Sequence, residues 1–209
     1  MIKICLLRHG RTPGNERRAY IGRTDEPLSD KGKEELLGHR GLYPAVEAVY
    51  SSPLRRCRET AELLYPNVPL YVEEAFREYD FGLFEGKTHE ELMADALYRE
   101  WIDANGNSPI PGGEDGEAFR VRCVKGFEKA VAQVFEKKFE SVAILTHGGV
   151  IMSLMERLSL EKRGFYGWKV KNGQGFILSL EEEVWKERRG LSGVKEFPSL
   201  EDENKAYMK

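Results

Sequence analysis

The sequence predicts an α/β fold, a mostly parallel sheet covered by helices, and two observations carry that expectation. Short apolar, β-rich runs at Ile2–Leu7, around Ala48–Tyr50, at Leu70–Val72 and at Val142–Thr146 alternate with helical patterns. Strands separated by helices have room to return parallel, with the helices packed on the sheet faces. The length of 209 residues is enough for one sizeable core, so a single domain over 1–209 is expected.

Taken in chain order, the elements announce their own ends. Ile2–Leu7 is the first strand. Ser29, after Pro27-Leu28, has the form of a helix N-cap, and Ser52-Pro53 reads as a cap followed by proline at the first helical position, with Pro66 stopping that helix. Along it Leu54, Cys57, Ala61 and Leu64 recur on one face, which makes Cys57 a core cysteine and not a reactive thiol. Thr88 with Glu91 forms a capping box. The stretch "NGNSPIPGGEDG", 105 to 116, reads as a surface loop because glycine and proline break both periodicities. A long helix from about Glu117 to Lys138 follows, its stripe of Phe119, Val124, Phe127, Val131 and Val134 turned to the core. After Val142–Thr146, Gly148 and Gly149 lead into another apolar helix near Val150. From about 190 the tail is polar and carries no structural expectation.

Composition excludes several classes. Apolar residues make up 41% and charged residues 32%, so no stretch has the balance of a disordered chain. A formal charge of −3 with interspersed signs gives no field for nucleic acid, so an anion site has to come from a few converging cations. With no basic leader, no secretory h-region and no run long enough to span a bilayer, a cytoplasmic protein without membrane contact is expected. Cys5, Cys57 and Cys123 are too few and too scattered for a disulfide framework or a zinc site. Neither G-x-x-x-x-G-K-[ST] nor H-E-x-x-H occurs, which removes nucleoside triphosphatases and zincins, and "GQG" at 173 to 175 is too short to carry a reading.

Open α/β sheets bind ligands beyond the carboxyl ends of their strands. His9 follows the first strand, and His147 follows "VAILT" and opens "HGGV", where a glycine-rich helix start offers free N–H groups to an anion. Arg8 stands beside His9. A phosphate monoester dianion repels nucleophiles, so an imidazole that attacks phosphorus needs a cation next to it, and a guanidinium fork fixes orientation as well as charge.

The segments "RHGRT", "SSPLRRCRETA", "REYDFGLFEG" and "THGG" occur here in one order. In that order and content the chain resembles the histidine phosphatase superfamily, also called phosphoglycerate mutase-like, most closely from Ile4 to Gly86 and from Val142 to Met155. The resemblance implies a three-layer α/β/α sandwich and a phosphomonoesterase with a phosphohistidine intermediate. His9 would be the nucleophile. Arg8, Arg56 and His147 would clamp the phosphoryl group, with Gly148 beside them at the helix start and Asn15 as a further polar contact. Of the three arginines in "SSPLRRCRETA", the family pattern selects Arg56 and leaves Arg55 and Arg58 as surface residues. Glu78 would be general acid and then base, with Asp80 the alternative, and Gly22 and Arg23 would shape the substrate end.

Two departures favour a phosphatase over a mutase: Glu78 is followed by Tyr79-Asp80-Phe81-Gly82 where mutases carry further basic residues, and Arg23 replaces an aromatic. The branch it most resembles is the alpha-ribazole phosphatases of cobalamin synthesis. The alternatives are a cofactor-dependent phosphoglycerate mutase, a broad-specificity sugar phosphate phosphatase, or a non-catalytic phospho-ligand binder, against which the joint presence of His9, both arginines, Glu78 and His147 speaks. The partner expected is a small phosphate monoester, with no cofactor and no metal. Tyr98 and Trp101 share a helical face, at least one of them as core and one available to stack on a planar leaving group.

Overall fold

Residues 4 to 7 are apolar on both sides of the pleat, which suits only a central strand covered on both faces. The computed structural model, which describes residues 1–198 apart from 105 and 107, places β1 (Ile2–Arg8) there. Strands β2 (Ala48–Ser51), β3 (Leu70–Val72), β4 (Ser141–Thr146), β5 (Gly175–Leu180) and β6 (Ser192–Phe197) complete the sheet in the order β3-β2-β4-β1-β5-β6. The first four in that order pair parallel, with Arg8 opposite Thr146, and β5 and β6 join antiparallel.

Alternation along β1 divides the core in two. Ile4 and Leu6 face one layer, built largely by α6 (Gly116–Lys137) and α7 (Gly148–Leu158). Cys5 and Leu7 face the other, where α2 (Asp30–Gly38) and α3 (Arg55–Leu64) pack. The shorter helices α1 (Pro13–Glu16), α4 (His89–Leu92), α5 (Ala96–Asp103) and α8 (Glu182–Arg188) lie in connections. Among the described residues no helix is long and apolar enough to cross a membrane.

Several local signals act as the sequence implies. Ser29 Oγ accepts from Gly32 N at 3.0 Å, and Thr88 and Glu91 form both halves of a capping box. The α3 face of Leu54, Cys57, Ala61 and Leu64 is buried. On α6 Phe119, Phe127, Val131 and Val134 are buried and Val124 partly so.

Other expectations are corrected. Ser52 does not cap α3: the helix starts at Arg55 behind an extended Leu54, and the Ser52 hydroxyl instead accepts from Leu54 N at 3.4 Å and meets His147 Nε2 at 2.7 Å. The polar tail, for which the sequence carried no expectation, contains β6, a mostly exposed edge strand whose backbone pairs with β5, so pairing and not side-chain pattern makes it a strand. The segment 105 to 116 is not simply a surface loop. Asn105 and Asn107 lie outside the described residues, but Ile110 is buried, and Leu83 N donates to Pro111 O and Glu114 N to Asp80 O, at 3.1 and 3.0 Å. Gly82, at φ +48°, leaves no room for a side chain, since a Cβ there would meet the backbone of Gly113 and Pro111 at 2.4 Å.

Phe127 has no exposed surface and its ring lies 5.6 Å from that of Trp185. Phe127→Ala should therefore cost about 3–5 kcal/mol. The exposed Val121→Ala on the same helix should stay within about 0.5 kcal/mol. Urea unfolding of the two variants checks both, and similar midpoints would contradict this division of faces.

Candidate active site

Because β1, β4 and β2 are adjacent and parallel, their carboxyl ends deliver three consecutive groups to one place: His9, His147 and Ser52. His9 N donates to Thr146 O at 3.0 Å, tying the first two strand ends together. The His9 ring is buried, and its Nδ1 lies 2.7 Å from Gly10 O. A carbonyl only accepts, so Nδ1 carries the proton and Nε2 keeps a lone pair. Burial, reinforced by Arg56 and Arg8, holds the His9 pKa well below the usual imidazole value, and the ring is neutral.

Arg56, from the first turn of α3, is fully buried. It donates from Nη1 to Thr24 O (2.7 Å), from Nη2 to Gly22 O (2.8 Å) and from Nε to His147 Nδ1 (3.3 Å). His147 Nδ1 thus accepts, and its Nε2 proton goes to Ser52 Oγ at 2.7 Å. Burial, Arg56 and His9 lower the His147 pKa well below the imidazole value. The two imidazoles meet edge to face with centroids 5.1 Å apart. Cys57, as a core residue, sets its Sγ 3.6 Å from His147 Nε2, and burial pushes its thiol up to about 12, so it stays protonated. Arg8 donates from Nη1 to Val170 O at 2.9 Å, while its buried Nε has no partner.

The guanidinium of Arg56 is thus buried, and that of Arg8 half-buried, both with neutral hydrogen-bond partners. An unpaired buried charge costs several kcal/mol, and an anion between the two relieves that cost. Glu78 is placed beside them: Oε2 accepts from Gly149 N at 3.0 Å and Oε1 from Tyr79 N at 2.9 Å. Burial raises its pKa above the ordinary carboxyl value, against the opposing pull of those two N–H groups and of Arg56 and Arg8. Gly149 is needed for this approach, since a Cβ there would lie 2.4 Å from Glu78 Oε1. Asp80, the alternative acid, is turned to Arg23 (3.1 Å) and to Gly82 N (2.9 Å).

The remaining candidates divide. Asn15 and Gly148 line a cavity of about 420 Å³ together with Arg8 and Glu78. Gly22 and Arg23 do not line it: the Gly22 carbonyl receives Arg56 and its N–H goes to Glu85, and the Arg23 side chain is 69% exposed in its pair with Asp80. Beyond the polar end the cavity is walled by Tyr20, Phe81, Trp101, Phe119, Phe165 and Tyr166. Tyr98 instead lies in the core, its hydroxyl between Tyr20 Oη and His89 Nδ1 at 2.7 Å each. Sequence reasoning missed the contacts of Ser52, Gly149 and Asn172; only the second glycine of "HGGV" carried any signal for them. No group of three or more His, Cys, Asp or Glu among the described residues is placed to hold a metal ion.

Comparison with known proteins finds relatives over most of the chain. The phosphatase PhoE of Bacillus subtilis, itself uncharacterized, is 28% identical over 89% of this chain and 92% of its own. A broad-specificity phosphatase of Saccharomyces cerevisiae is 28% identical over 77% of this chain and 72% of its own. The crystal structure of the alpha-ribazole phosphatase from Shigella flexneri superimposes with a TM-score of 0.78 over 95% of this chain and 96% of that one, at 23% identity, a likeness of fold. The family model for branch 1 matches residues 4–190, a span that holds His9, His147, Arg8, Arg56 and Glu78, and the chain belongs to the histidine phosphatase superfamily.

Proposed function

We propose that this phosphatase hydrolyses phosphate monoesters through a covalent phosphohistidine on His9. The observation that carries this is the pair of guanidiniums, Arg56 buried and Arg8 half-buried, with neutral hydrogen-bond partners, beside a neutral imidazole whose free lone pair is on Nε2. The Nε2 lone pair attacks phosphorus and the bond to the ester oxygen breaks, its electron pair taking a proton from Glu78. Water then gives a proton to Glu78 carboxylate and attacks phosphorus, and the N–P pair returns to His9. Arg8 and Arg56 neutralise the phosphoryl oxygens through both steps, where developing charge makes fixed donors most effective. Asn15 and the start of α7 at Gly148 complete the clamp, and His147 acts from behind Arg56.

The aromatic wall supports an ester with a bulky, planar leaving group, and alpha-ribazole 5′-phosphate is the specific substrate proposed. Arg120 on that wall is stacked over Phe165 at 5.2 Å and is 3.8 Å from Glu156, an arrangement less suited to holding a small polyanion than to bounding an apolar space.

Brief incubation with labelled substrate should trap acid-labile label that His9→Ala lacks, and label on any other residue would contradict the mechanism. For Glu78→Gln, the phosphorylation rate from an alkyl phosphate should fall by roughly 10²–10⁴-fold, and that from nitrophenyl phosphate far less, because phenolate leaves without a proton. Since Glu78 must start protonated and its pKa is raised, wild-type kcat/KM for the alkyl ester should decline as pH rises through that raised value. The nitrophenyl ester should lack this limb, and equal profiles would remove Glu78 from the acid role. A panel of alpha-ribazole phosphate, phosphoserine, 3-phosphoglycerate and sugar phosphates should rank the ribazole ester first. Preference for the sugar esters would favour the broad-specificity alternative, and efficient mutase turnover with bisphosphoglycerate would reject a dedicated phosphatase.

A further inference from the structure

The turn that leads into β5 lies against the chain just after His9. Gly173 N is shared between Arg8 O and His9 O at 3.1 Å each, and Tyr43 Oη donates to Gly173 O at 2.8 Å, so the turn is held from both sides. The half-buried Asn172 places Nδ2 2.9 Å from Asn15 Oδ1, 3.2 Å from His9 O and 3.3 Å from Gly10 O. Two of these are backbone carbonyls that can only accept, which determines the orientation of the amide. One hydrogen goes to Asn15, and the other is shared between the two carbonyls as a three-centre bond.

Each acceptor bears on the chemistry. Gly10 O is the oxygen that holds the proton on His9 Nδ1. Asn15 Oδ1 accepts from Thr12 N at 3.3 Å as well as from Asn172, so its NH₂ is the half of the amide left for the cavity, where Asn15 forms part of the wall. A reversed Asn15 would present an oxygen to phosphoryl oxygens. A His9 ring protonated on Nε2 could not attack.

We propose that Asn172 is a positioning residue for phosphoryl transfer, holding at once the carbonyl that sets the His9 tautomer and the amide face that Asn15 presents. This rests on the assignment of His9 as nucleophile and Asn15 as a phosphoryl contact. The side chain does not touch the reacting atoms; it acts through two residues that do. Asn172→Asp keeps the shape but removes both donors and gives Asn15 a reason to turn its nitrogen inward. Asn172→Ala removes the donors without adding charge, and serves if the aspartate variant does not fold.

Rapid-quench phosphorylation from nitrophenyl phosphate should slow on the order of 100-fold in either variant, the loss expected when a reacting group is misplaced by about 1 Å, with little change in Tm. Asn15→Ala should cost less in the Asn172→Asp background than in the wild type, because Asn15 is already misaligned there. With ¹⁵N-labelled histidine, wild-type His9 should be protonated at Nδ1, and the variants should show a mixture of tautomers. Unchanged phosphorylation rates, losses that multiply, or an unchanged tautomer would overturn the role of Asn172. If the wild type forms no phosphohistidine, the mechanism fails separately, and the tautomer measurement, which needs no turnover, decides the Asn172 assignment alone.

Discussion

The buried guanidinium of Arg56 is the interaction on which the rest of the site depends. Its three donations reach the carbonyls of Gly22 and Thr24 and the ring of His147, so one side chain draws the segment after β1, the start of α3 and the end of β4 to a common point. The His147 ring passes the constraint on to Ser52. The positive charge is held without a carboxylate in its hydrogen-bond set, and its field helps keep both imidazoles neutral. The cost of burying that charge without an ionic partner is one that a nearby anion would lower.

Sheet order makes that convergence possible. Parallel β2, β4 and β1 are neighbours, so their ends bring together Ser52 and His147, 95 positions apart, without any long side chain having to reach. The antiparallel β5 then brings the 171 to 173 turn back against the end of β1. A sheet parallel throughout would put the start of that neighbouring strand, and hence this turn, at the opposite edge.

The cavity has two parts of different physical character. Its polar end is built on strand ends and helix starts, and a site on such elements is rigid. Its far end is formed by the 78 to 84 turn, α5 and the 165 to 168 turn, where aromatic rings do most of the lining. Loop-built walls can vary without disturbing the chemistry behind them.

The sequence by itself determined the elements and much of the polar end. His9 and His147 stand directly after apolar strands, and the family pattern that "SSPLRRCRETA" resembles singled out the one arginine of three that is buried. These are local signals, readable because strand ends and first helical turns have direction. What tertiary structure alone decided spans the chain. Ser52 has the local form of a helix cap yet binds a ring 95 residues away, Asn172 meets His9 across 163 positions, and β6 is a strand only because β5 offers it a partner. Glycine and proline marked the 108 to 115 segment as loop, but its contacts with the 80 to 83 turn, which bury Ile110, came from packing. A hydrogen bond between distant residues leaves no period in either segment, since each partner's local preference is satisfied equally well by water or by its own backbone.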